Sequence, residues 1–298
     1  MKTVFRNVRL LAATGAVVAG LTGAAGTVLA AGDAPHIERQ EWSFAGPFGT
    51  YDKAQLQRGF KVYREVCSAC HGMRQVAFRN LAEEGGLGFT EDQAKVIAAE
   101  YTVEDGPNGD GDMFERPAIL ADRFPSPFPN EEAARASNGG AYPPDFSLLA
   151  KARAAHRGFP WFVFDAFTQY QELGPDYIYA LLTEYEEAPA CFGEDFTGNY
   201  NKAFLGGSIT AEACAGEHLT GGPIAMAQPL SEEIVEYTDG TPMTVEQYAR
   251  DVSAFMMWAA EPHLEARKKI GFRVMVFLIV FAGLLYVTKR KLWSNVEH

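Results

Sequence analysis

The sequence predicts a mostly α-helical head with long loops, followed by one C-terminal transmembrane helix. Three observations predict it. Apolar side chains recur at helical spacing in separate segments of the head. Pro- and Gly-rich stretches lie between those segments. Near the C-terminus, residues 270–287 form an apolar run whose only charge is Arg273.

The first thirty residues read as a secretory signal. Lys2, Arg6 and Arg9 make a positive start, residues 10–26 are apolar and small, and Val28-Leu29-Ala30 offers a cleavage site. A retained membrane helix is the alternative, but the core is rich in Gly and Ala and is followed by Asp33, Pro35 and His36. The expected divisions are residues 1–30 as removed signal, 31–266 as exported head, 267–291 as anchor with basic flanks and 292–298 as a short tail.

In the head, Asp52 opens a helix that runs to Cys67 with Leu56, Phe60, Tyr63 and Cys67 on one face. A second amphipathic helix covers residues 91–101. The acidic segment 104–112 reads as a solvated turn, since it lacks the ligand spacing of a calcium loop. Residues 117–147 read as irregular, residues 148–155 as helix. Pro175 starts another helix, with Tyr177, Ile178, Leu181, Leu182 and Tyr185 as its stripe. Thr244 and Gln247 have capping-box spacing and open the last helix of the head, which Pro262 interrupts. Eighteen residues from 270 to 287 make about 27 Å of helix, close to the roughly 30 Å hydrocarbon core of a bilayer.

The most specific chemistry lies at the end of the first helix. Cys67-Ser68-Ala69-Cys70-His71 is the attachment signature of c-type haem. Each thiol can add across a porphyrin vinyl group, and the adjacent imidazole can bind iron. Zinc and dithiol sites share the Cys spacing, but no second Cys pair or His pair offers the remaining zinc ligands. A haem would supply much of the core of a loop-rich head. Because c-type haem is attached outside the bacterial cytoplasm, it also orients the anchor, whose two basic flanks do not.

For the opposite iron face, Met113, Met243 and Met226 remain open, with His36, His156 and His218 as rivals; Met226 lies in a Pro-bounded loop far from the attachment helix. Cys191 and Cys214 are left over, and a disulfide is the expectation for an oxidising compartment, two buried thiols the alternative. Residues 31–266 hold 37 of the 38 acidic and 16 of the 26 basic residues, a net charge near −21. That field repels nucleic acid and favours a basic partner.

Several segments together resemble the cytochrome c1 family. They are residues 46–49, residues 57–67 leading into the haem motif, Pro143-Pro144-Asp145-Phe146-Ser147-Leu148, Lys151-Ala152-Arg153-Ala154, Tyr177-Ile178-Tyr179, Ile224-Ala225-Met226, and residues 251–262 followed by Ala266-Arg267-Lys268. The resemblance implies a class I cytochrome c-like haem domain from an alphaproteobacterium, carrying one covalent haem c in the cytoplasmic membrane with the head in the periplasm. It implies Met226 as the second iron ligand, Arg153 beside a propionate, Pro144 and Tyr63 in the pocket wall, and a Cys191–Cys214 disulfide of the bacterial kind. The implied partners are a cytochrome b subunit, a Rieske iron–sulfur protein, a basic or membrane-tethered cytochrome c and the lipid bilayer, with whole complexes paired as dimers. Electron relay is the implied function. A membrane-anchored cytochrome of a terminal oxidase and a haem-based sensor are the alternatives. Gln228 stands where the family usually has Pro, and residues 101–135 match little.

Overall fold

The computed structural model describes residues 37–154, 159–168, 170, 173–193, 195–204, 214 and 219–295. The expected signal at 1–30 and the rival ligands His36, His156 and His218 lie outside them.

Helix α1 spans Lys53–Val62, and the Asp52 carboxylate caps it by accepting from the amides of Ala54 and Gln55 at 2.9 and 3.2 Å. The chain then continues as a wider turn over Tyr63–Cys67, where the Ser68 amide reaches back to the Tyr63 carbonyl at 2.8 Å. The expected helix through Cys67 is present, with its last turn loosened into π geometry. Such turns are frequent at functional sites.

The other elements of the head follow in order. Helix α2 (Glu91–Ala99) begins with a reciprocal box between Thr90 and Gln93. Strands β1 (Thr102–Asp105) and β2 (Phe114–Pro117) pair antiparallel, and Arg116 ties Asp105 to Asp122 across their base. The expected turn at 104–112 is therefore the end of a hairpin. Helix α3 (Glu131–Ser137), capped by Asn130, lies within the stretch expected to be irregular. Helix α4 (Leu149–Ala152) is a single turn, shorter than expected, and α5 covers Trp161–Thr168. Helix α6 runs Leu173–Thr183, so Pro175 sits inside its first turn, where the missing N–H costs nothing. Tyr185, expected on that helix, instead starts strand β3 (Tyr185–Glu186), which joins β4 (Asn199–Asn201) and β5 (Gly222–Ile224) in a small antiparallel sheet.

Helix α7 (Val245–Ala260) is the centre of the core, with Tyr248, Val252, Phe255, Met256 and Trp258 buried. It lies against α1 at backbone distance: a Cβ on Gly59 would meet the Asp251 carbonyl oxygen at 2.0 Å, so only glycine fits. Arg58 beside it pairs with Asp251 and Asp239 at 2.8 and 2.9 Å. The capping box expected at Thr244 is half made. Thr244 Oγ1 accepts from the Gln247 amide, but the Gln247 side chain donates to Asp251. After the break at Glu261 and Pro262, helix α8 (Leu264–Leu292) buries only Leu264 and Lys268. Residues 270–287 within it are exposed and apolar but for Arg273, and the helix is long enough to cross a membrane.

Candidate haem-binding site

Helix α1 delivers Cys67, Cys70 and His71 to the edge of the aromatic core. Tyr63, buried one turn earlier, packs against Phe255, Phe124 and Phe146, and its hydroxyl donates to the His71 carbonyl at 3.1 Å. Burial pushes the Tyr63 phenol up, out of the range in which it ionises. The two thiols are half-buried and not joined to each other. Desolvation pushes Cys67 up to about 12, which keeps it a neutral thiol.

The imidazole is oriented from behind. His71 Nδ1–H donates to the Pro144 carbonyl at 2.8 Å, and the ring stacks on Phe146 at 4.2 Å. Burial lowers the His71 pKa against the opposing pull of the Pro144 carbonyl and Asp145, and so favours the neutral ring. A neutral imidazole with Nδ1 engaged presents Nε2 as its free donor atom.

The resemblance puts Pro144 in the pocket wall and gives no role to the residues after it. Asp145 accepts from the Arg74 and Ser147 amides at 2.9 Å each, and Ser147 Oγ accepts from the Gln75 amide at 3.0 Å. The Phe146 amide donates to the Gly72 carbonyl at 2.8 Å. Segment 144–147 is thus stitched alongside 71–75. An Asp two positions before a Ser marks the local turn at residues 145–147, but nothing local marks its partner at Arg74.

Met226 follows β5 and is half-buried against the core, where the Tyr185 hydroxyl donates to its carbonyl at 3.1 Å. The competing methionines are occupied elsewhere. Met113 is exposed on the hairpin, and the Met243 sulfur accepts from the Tyr237 amide at 3.5 Å. Arg153 ends α4 and is exposed. Cys191 and Cys214 are joined as a disulfide, as expected, and Phe192, next to Cys191, packs its ring against Tyr200 of β4 at 5.8 Å.

Haem fits this arrangement better than zinc. Among the described residues no three His, Cys, Asp or Glu side chains converge as a metal cluster would. The unjoined thiol pair and an imidazole with one nitrogen already committed are what covalent attachment and axial ligation require.

A family model described as the Cytochrome C1 family matches residues 42–296. The chain belongs to the cytochrome c1 family. The cytochrome c1 of Blastochloris viridis is 46% identical over 284 residues, 95% of this chain and 95% of that protein. The cytochrome c1 of Cereibacter sphaeroides is 43% identical over 301 residues, covering 97% of each. A protein of Bradyrhizobium diazoefficiens named cytochrome b/c1 is 55% identical over 255 residues; the match takes in 86% of this chain and 35% of that longer protein. Membership agrees with the resemblance read from the sequence, and these relatives are alphaproteobacterial, as it implied.

Proposed function

We propose that this chain is the haem subunit of a cytochrome bc1 complex, a quinol–cytochrome c oxidoreductase. In this reading it takes one electron from a Rieske iron–sulfur protein and passes it to a basic or membrane-tethered cytochrome c. The observation that carries the reading is the His71–Pro144 contact behind an unjoined Cys67/Cys70 pair, in a chain of this family. Haem c, when bound, supplies a one-electron ferric–ferrous couple.

The chain's own residues hold and tune that group. Cys67 and Cys70 would tether it by adding their thiols across its vinyl groups, and His71 through Nε2 and Met226 through its thioether would hold the iron. A thioether favours reduced iron and raises the potential. Arg153 is free to turn its guanidinium to a propionate in a charge-assisted pair. Tyr63 and Pro144 wall the pocket. No side chain acts as acid, base or nucleophile, and the acidic head steers a basic acceptor. Residues 1–30 are the removed signal, 31–266 the periplasmic head, 267–291 the single-pass anchor and 292–298 the cytoplasmic tail, in complexes that pair as dimers. The cytochrome b subunit surrounds the anchor together with lipid.

Rapid mixing of the purified complex with quinol tests this reading. We expect a c-type α band to appear on reduction, and to be lost when the iron–sulfur subunit is extracted. Absence of the band, or reduction that is unaffected by that extraction, contradicts it.

A further inference from the structure

We propose that the turn at residues 46–49 is a second membrane contact of this protein, seating Phe48 at the headgroup–acyl boundary of the leaflet that α8 enters. The inference rests on reading α8 as a membrane anchor, and it concerns a part of the head to which no role has been given.

The start of α8 is fixed to the head on several sides. Lys268 Nζ donates to the Phe44 carbonyl at 2.5 Å, and Glu265 accepts from the Tyr51 amide at 3.0 Å. The Tyr51 hydroxyl donates to the carbonyls of Met257 and Glu261 at 3.3 and 3.2 Å. Glu261 is itself paired with Arg267 and with Lys151. Both ends of segment 44–51 are therefore fastened to the helix junction, and the height of that segment along α8 is set.

Between those fastenings the chain makes a tight outward turn. The Thr50 amide closes on the Ser43 carbonyl at 3.1 Å, and the Ala45 amide on the Trp42 carbonyl at 3.0 Å. A Cβ on Gly49 would stand 2.1 Å from the Ala45 carbonyl oxygen, so glycine is required for the chain to double back. Phe48 is left at the tip, 74% exposed. Among the described residues its ring meets Phe272 of α8, edge to face at 5.6 Å.

That contact fixes the depth. Phe272 is the third residue of the apolar run 270–287, about 3 Å along the axis from its first residue at 1.5 Å per residue. Wherever that run enters hydrocarbon, Phe48 enters beside it. An exposed Phe ring at this level suits the aromatic belt of a membrane interface, and Arg273, next to Phe272 in the chain, adds positive charge at that level for lipid phosphates. The occupant is phospholipid. Water or a second protein subunit over the turn would be the other outcomes.

The test places a nitroxide on Phe48→Cys in the full-length protein within its complex, in phosphatidylcholine–phosphatidylglycerol nanodiscs, and reads collision with oxygen and with a water-soluble nickel chelate. Gly109→Cys, in open space on the hairpin, is the water reference, and Ile279→Cys on α8 the lipid reference. We expect nickel access at Phe48 to fall several-fold below that at Gly109, with oxygen access close to that at Ile279. Nickel access equal to that at Gly109 overturns the proposal, as does a site that neither reagent reaches. A water-accessible Ile279 would instead overturn the anchor reading, and this inference with it.

Discussion

His71 and Met226, the two proposed iron ligands, are held by different kinds of structure. Behind His71, two short segments are laced together by the Pro144 contact, the Phe146–Gly72 bond and the Asp145 and Ser147 side chains, all against a fully buried aromatic core. Met226 hangs from one end of a three-stranded sheet of two- and three-residue strands, with one hydroxyl contact from Tyr185, and the disulfide leaves the segment that joins β3 to β4. The first side belongs to the core, so damage there should appear as lost stability. The second side is a light frame, so damage there should appear as altered ligation with the head still folded.

Met226→Leu should separate the two sides most strongly. We expect a fall in midpoint potential on the order of 100 mV with a folded head, read by redox titration. An unchanged midpoint would mean that Met226 is not the ligand. Next in size is Cys191→Ser, which removes a cross-link spanning 23 positions and should cost roughly 3 kcal/mol in the chain-entropy picture. Denaturant titration should show that loss, with the sheet side opening first in hydrogen exchange. Opening that starts at residues 71–75 instead would reverse the two roles.

On the His71 side, Asp145→Ala removes the acceptor for two backbone amides and should cost about 1–3 kcal/mol by denaturant midpoint, with Asp145→Asn recovering part of it. The smallest effect is a pH dependence of the brace on α1. The Thr241 amide, with help from Arg58, holds Asp239 at about 2 against an ordinary value of 3.8. A carboxylate lowered on folding stabilises above its unfolded value and loses that contribution as pH falls toward the folded one. Stability should therefore decline between pH 4 and 2, and less steeply in Asp239→Asn; equal slopes would remove Asp239 from the brace.

The same contrast explains what the sequence revealed. The Cys67–His71 motif, the Asp52 cap and the apolar helix α8 are local patterns, complete within a few residues or one apolar run, and each is legible. The β1–β2 hairpin was not, because neither face is buried and no apolar alternation marks it. Helix α3 escaped notice because Ala134 is its only buried residue. Gln247 leaves its box because Asp251, a tertiary partner of Arg58 and Tyr237, competes for it. At the site, His71 as a candidate ligand follows from spacing alone. The Asp145 stitch and the Tyr185 contact join residues 71 and 41 positions apart, and no local pattern encodes them.

The proposed porphyrin is tethered at Cys67 and Cys70, and trypsin isolates that site between Arg64 and Arg74. Mass spectrometry of the peptide at residues 65–74 from protein matured in a haem-attaching host should find it carrying the added mass of one haem. The same peptide found with two unmodified thiols, or with those thiols joined as a disulfide, would contradict the account.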